Sequence, residues 1–438
     1  MGIRRYLNFD LLLEQVGDGR YRARVTEFPL DGTPRVQFQL PFDAQTLEIL
    51  LLKLDPGRSG TRRVGATSHQ QAAMDFGGPL FEAVFTGEVA LAWQRSLDKV
   101  RAVDAEGLRL RLLLEDAPAI AGLPWELLYD ARTNSFIAQS ERTPVVRFLD
   151  LPHAPRPIAV DGPLRVLVVI SSPIDLVELD VEAEWRRIRD ALEPPVKAGL
   201  VAVDRLSSAT VPSLGAWLRR HRTHVVHFVG HGDFDDRLRE GVLYFQDEYG
   251  RGAQVTSSLL GPYLRDHDAL RMVVLNACRS ARSDGIDPFG GMAQGLVQQD
   301  ATAVVAMQFP ISDRAALRFT GEFYGALVDG LPVDQAVSSA PEVADGGVQR
   351  RMVHARALHA LTRRQHLREP ARPREHGSSG CAHRDRPSDT ADAPCGHGGT
   401  RRCARRTALG RTIAESSNAE PVAACGGSHR RGSSQPIC

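Results

Sequence analysis

From residue 164 onward, short uninterrupted apolar runs alternate with stretches whose apolar residues recur three or four positions apart. The runs Arg165–Ile170, Leu200–Arg205, His224–Val229, Arg271–Asn276 and Ala303–Met307 read as strands. Between them, residues 182–192, 213–220, 257–266, 288–298 and 313–329 carry the helical period. Residues 242–245 with a turn at Gly250–Gly252 add a hairpin. Strands apolar at every position are strands covered on both faces, so the pattern predicts a mostly parallel sheet between two helical layers.

Upstream the period differs. Tyr21–Val25 and Arg35–Leu40 alternate, with turn residues at Asp18-Gly19 and Asp31-Gly32, which predicts a small β-rich unit over residues 1–65. Helices are expected at Leu47–Leu54 and Phe81–Val100. Gly107–Leu114 alternates Leu with Arg and then becomes continuous Leu, a strand entering a core.

Composition changes the picture in three places. The 438 residues are 42% hydrophobic and 24% charged with a formal net charge of +1, so nothing selects for nucleic acid or an acidic partner. Cys278 is the lone thiol before the last quarter, whereas Cys381, Cys395, Cys403, Cys425 and Cys438 crowd the end. A disulfide framework in the folded part is therefore excluded, which suits a reducing compartment. Apolar runs such as Val166–Ile170 are too short to span a bilayer. No secretion signal opens the chain, and Tyr6 stands where a myristoylation signal wants Ser or Thr. The expectation is a cytoplasmic protein that uses no membrane, cofactor or metal.

Ligands bind beyond the carboxyl ends of parallel strands. Two reactive side chains fall there: His231 in His227-Phe-Val-Gly-His-Gly-Asp-Phe234, and Cys278 in Val273-Val-Leu-Asn-Ala-Cys-Arg-Ser280. A free thiol titrates near ~8.5, so a strong sulfur nucleophile needs an imidazole to take its proton. The N–H of Gly232 with that of Cys278 would form an oxyanion hole. Arg279 and His267 are candidates for added positive potential, and Asp233 for orienting His231. A buried structural cysteine and a turn histidine account for the same letters equally well.

These two motifs, with Ala121-Gly-Leu-Pro-Trp-Glu-Leu-Leu-Tyr-Asp130 and Ala303-Val-Val-Ala-Met-Gln-Phe-Pro-Ile-Ser-Asp313, resemble the CHAT domain, a family related to caspases and separases. The resemblance covers residues 75–345, with a catalytic core over 164–340. It implies a three-layer α/β/α caspase-like sandwich and cleavage of a protein or peptide substrate by His231 and Cys278, switched on by an activating protein. Trp125, Tyr129, Trp185 and Trp217 read as core residues. Asp313 reads as a helix cap, with a substrate-pocket role, shared with Asp233 and Arg279, as the rival. The alternative function is an interaction module on the same fold, catalytically impaired by the loss of its last strand. A nucleotide-binding domain is disfavoured, because no Gly-rich phosphate turn follows the first strand.

Residues 346–438 depart from the family. The resemblance calls for a last strand written like Glu-Trp-x-Thr-Pro-Val-Leu-Tyr, where Arg350–Ala360 stands instead. Reading one base later turns Met352-Val353 into Trp, so the expectation is a frameshift between about residues 340 and 351. A disordered tail and an exposed sheet edge would follow. Cys381, His383, Cys395, His397 and Cys403 then look like a metal cluster only by composition, since their spacing fits no standard zinc pattern.

Overall fold

The computed structural model describes residues 6–54, 66–102, 107–149, 151, 160, 162–235, 237, 240–279, 288–307, 313–339 and 355–360. It divides into units 1–372 and 373–438, and all described residues belong to the first. The cysteine-rich tail, and the residues where a frameshift is expected, lie outside the described residues.

The amino-terminal half opens with strands β1 (Tyr6–Gly17), β2 (Arg20–Glu27) and β3 (Arg35–Gln39) and helices α1 (Ala44–Leu54), α2 (Ala66–Val84) and α3 (Gly87–Ala102). There follow β4 (Gly107–Leu113), α4 (Pro118–Ala121), a small hairpin β5 (Tyr129–Asp130) and β6 (Ser135–Phe136), and β7 (Val145–Leu149). The single helix expected over Phe81–Val100 is thus two. Gly87 breaks it with φ +53°, a left-handed conformation that favours glycine.

The carboxyl-terminal half alternates as its apolar runs dictate. The order is β8 (Leu164–Ile170), α5 (Val181–Lys197), β9 (Val201–Arg205), α6 (Val211–Arg220), β10 (Val225–Asp235), β11 (Glu240–Gln246) and β12 (Gly252–Thr256). Then come α7 (Ser257–Arg265), β13 (Met272–Arg279), α8 (Pro288–Gln298), β14 (Ala303–Met307), α9 (Asp313–Val328), α10 (Val333–Ser339) and β15 (Ala355–Ala360). Side-chain oxygens start the helices: Asp180 accepts from Ala183 N–H, Thr210 from Ser213 N–H and Thr256 from Leu259 N–H.

One 13-stranded sheet joins both halves in the order β12-β11-β10-β13-β14-β15-β7-β4-β1-β2-β3, with β8 and β9 branching from β10. Strands β8, β10, β13 and β14 are parallel. Their alternate residues serve opposite layers. Leu167, Val169, Val226, Phe228, Val273 and Leu275 pack with Leu214, Leu260 and Leu296 of α6, α7 and α8. Val166, Val168, Val225, Val229, Met272 and Val274 pack with Ile188 of α5, Phe323 of α9 and Ala336 of α10. Each large side chain so buried contributes about 1.5–3 kcal/mol before ordering costs. The result is the expected three-layer α/β/α sandwich. The β-rich residues at the amino end continue the same sheet, because β1 lies parallel to β4 from Tyr6↔Gly107 to Leu12↔Leu113.

A correction concerns the sheet edge. Ala355–Ala360 runs antiparallel to β14 (Ala303↔His359) and parallel to β7 (Leu358↔Arg147). β14 is therefore not left bare, and the strand position expected to be vacant is filled by the sequence that stands there. Backbone pairing needs only N–H and C=O groups, so a strand can form without the side chains the family uses.

The motif at 121–130 is a packing device. Trp125 is fully buried and its Nε1–H donates to Ile120 O at 2.9 Å. Buried Arg147 of β7 donates to Glu126 Oε1 at 2.8 Å and to Leu123 O at 2.6 Å. Tyr129 is buried too, whereas Trp185 and Trp217 lie only half-buried at the core margins.

Candidate active site

β10 changes partners along its length. Val225–Val229 pairs parallel with Val166–Ile170 of β8, and His231–Asp235 pairs antiparallel with Tyr244–Glu240 of β11. Gly230 stands at the fork. A Cβ there would sit 2.8 Å from the Phe228 ring and 3.2 Å from Ser171 O, so the bend has no room for a side chain. The partners of β10 therefore part beside the next residue, His231, the kind of place where ligands of parallel sheets bind.

His231 and Gly232 do not follow the strand, as the apolar run suggested, but lie within it, because β11 extends the pairing. The same holds for Cys278, since β13 continues to Arg279. The register is direct: His231 faces Cys278, and Gly232 faces Arg279. Adjacent strands lie about 4.8 Å apart, so the backbones of the pair are immediate neighbours.

The His231 ring is buried, 5% exposed, and its Nε2 lies 2.7 Å from Val177 O. A carbonyl can only accept, so Nε2 carries the proton in this bond and the neutral ring keeps Nδ1 as its acceptor. Sequence reading missed Val177, because a backbone carbonyl has no signature in the letters.

Val177 belongs to the β8–α5 loop, and this loop is fastened. Ser171 N–H donates to Val229 O at 2.8 Å, and Leu179 N–H to Ser172 Oγ at 2.9 Å. Ile174 N–H donates to Gly250 O at 2.9 Å, and Gly252 N–H to Asp175 Oδ1 at 2.7 Å. Two of these bonds tie it to the β11–β12 turn.

The remaining candidates separate. Asp233 is half-buried on the His231 side of β10, and its Oδ1 accepts from Phe234 N–H at 2.9 Å. Asp313 opens α9, beyond the carboxyl end of β14. His267 does not belong here. Its Nε2 accepts from Thr223 N–H at 3.0 Å, before β10 begins, roughly 25 Å of strand from His231. Among the described residues no cluster of His, Cys, Asp and Glu could hold a metal ion. No described helix is long and apolar enough to cross a membrane.

A caspase-like sandwich with a histidine and a cysteine facing each other on adjacent central strands is thus the class of protein in hand. The model of the CHAT domain family matches residues 88–375, and the chain belongs to that family. Two solved structures of the Saccharomyces cerevisiae separase–securin complex are similar to it, each at 10% identity, with TM-scores of 0.43 and 0.39. They cover 76% and 81% of this chain, which spans only 28% and 30% of theirs. No curated protein matches the sequence.

Proposed function

We propose that the protein is a cysteine endopeptidase in which His231 and Cys278 form the catalytic pair. The observation that carries this reading is their direct register, together with the Val177 carbonyl that fixes the His231 tautomer.

With Nε2–H engaged, Nδ1 takes the thiol proton and the Cys278 thiolate attacks the scissile carbonyl carbon. The oxyanion is stabilised by backbone N–H groups, for which Gly232 and Cys278 are the candidates. The tetrahedral intermediate collapses as the imidazolium returns its proton to the leaving amine, leaving a thioester. Water, deprotonated by the same imidazole, then releases the acid and restores the thiol. Arg279 and Asp313 are proposed to border the substrate site, from the strand after Cys278 and the helix after β14. We assign the reaction to the cytoplasm, where a lone thiol stays reduced, and propose that an activating protein controls it.

The interaction-module alternative drew its support from a lost sheet strand. With Ala355–Ala360 paired on both sides, that support is reduced.

The test is cleavage of a randomised peptide library by the full chain, by Cys278→Ala and by His231→Ala. Cleavage lost in both variants supports the reading. Cleavage that survives Cys278→Ala overturns it.

A further inference from the structure

Among the described residues, the three most exposed large hydrophobics are Val177 at 79%, Ile174 at 73% and Tyr249 at 73%. Val177 touches the site, and the other two lie on the same loop and on the β11–β12 turn to which that loop is tied. Val177 carries the carbonyl that holds His231, three residues from Ile174. Ile174 in turn packs on the turn that contains Tyr249: its N–H bonds Gly250 O, and its Cγ2 lies 3.8 Å from where a Gly250 Cβ would stand. Leu176 approaches the same turn, 3.4 Å from the Cβ position of Gly252.

Single exposed hydrophobics need no explanation, but a group of them on one loop and the turn bonded to it, beside the candidate pair, does. Leaving such side chains in water forgoes about 1.5–3 kcal/mol each, and the loop and turn that bear them are bonded to one another, which holds them outward. What passes over this surface is set by its position. A chain seated for attack beside His231 must run along the loop whose carbonyl touches that ring.

We infer that Ile174, Val177 and Tyr249 form a specificity surface for an apolar side chain of the polypeptide substrate, a few residues from the scissile bond. The inference rests on the peptidase reading, and it names the substrate class: extended segments carrying Leu, Ile or Phe near the cut. Binding there also presses on the loop that presents Val177 O, so occupancy and the orientation of His231 are linked.

The experiment separates binding from chemistry. The full chain bearing Cys278→Ala is titrated with two pools of fluorescein-labelled decapeptides, randomised except at the central three positions. One pool carries Leu, Ile or Phe there, the other Ser or Asn. Anisotropy should show about tenfold tighter binding of the apolar pool. The preference should disappear in Ile174→Asn/Tyr249→Ser and persist in Leu91→Asn, a control at an exposed apolar residue of α3. Both altered side chains project into solvent, and a thermal melt checks that the fold survives. If the double variant melts early, Ile174→Asn alone is scored in its place. Equal binding of the two pools, or a preference untouched by these substitutions, overturns the inference. The intact chain is assayed for cleavage of the same pools. A binding preference preserved without cleavage leaves the surface standing and marks the chain as one that does not cleave without its activating protein. Cleavage without preference does the reverse.

Discussion

His231 and Cys278 face one another in register across two adjacent parallel strands, although 46 residues of chain lie between them. Strand pairing, rather than a flexible loop, sets their spacing. Removing either partner should therefore cost most of the rate. We expect Cys278→Ala to abolish peptide cleavage and His231→Gln to lower kcat by about 10²–10⁴-fold, the span of a lost general base. Iodoacetamide labelling of Cys278, followed by mass spectrometry, should slow in His231→Gln. Equal labelling rates would mean the ring does not activate the thiol.

The Val177 carbonyl cannot be mutated away, but its supports can. Asp175→Ala removes the acceptor for Gly252 N–H, and Ser172→Ala the acceptor for Leu179 N–H. Each is worth about 1 kcal/mol of loop positioning. We expect kcat to fall about fivefold in each variant, with KM and melting temperature close to the parent. A drop in melting temperature that accounts for the activity loss would assign these bonds to stability alone.

Acid should destabilise the fold through two buried histidines. Burial pushes His227 down to about 4, and it faces Tyr324 Oη across 3.1 Å. Burial, then Arg222, Arg271 and Arg165, push His224 down to about 4 as well. A histidine depressed in the fold is neutral there while the unfolded chain binds protons, so stability is full above about pH 6.5 and declines as pH falls toward 4. His227 alone should account for about 2 kcal/mol lost by pH 5. Urea denaturation at pH 7.5 and pH 5 should show this loss, and His227→Gln should flatten it. An unchanged slope in that variant would assign the acid sensitivity elsewhere.

Buried ion pairs tie the sheet to a helix and one strand to another. Arg109 of β4 donates from Nε to Asp334 of α10 at 2.5 Å, and Arg111 pairs with Asp10 of β1. Asp334→Ala would strand the guanidinium in the core and cost about 3–5 kcal/mol. Replacing both, as Arg109→Met/Asp334→Leu, should recover most of it. Chemical denaturation of the two variants checks the difference.

How much of this was legible varies with the kind of signal. Leu167, Val169, Val273 and Leu275 announced central strands, because continuous apolar runs have few other uses. His231 and Cys278 were legible as candidates since both stand where such runs give out. Val177 was not, as its contribution is a carbonyl. The extension of β10 to Asp235 was hidden as well, because it depends on pairing with β11 and not on its own composition. The buried pairs did leave a trace. Arg109, Arg111 and Arg147 interrupt apolar strands, and a charge at such a position calls for a partner that the sequence does not name.

Truncation probes the strand at the seam. A chain ending at residue 372 should melt like the full protein, whereas one ending at residue 354 loses β15 and bares β14 and β7. Size-exclusion chromatography should show the shorter chain self-associating. Two monomeric, equally stable products would mean that Ala355–Ala360 adds nothing to the sheet.

That seam has a consequence in time. β7 emerges from the ribosome long before Leu358, its partner in β15, has been translated. The nascent chain must carry two incomplete sheets side by side, each with an open margin, until β15 is made. Contacts so distant in sequence close slowly. The two halves therefore have to fold well enough alone to wait, and the protein's vulnerable interval lasts until residues 355–360 have been translated.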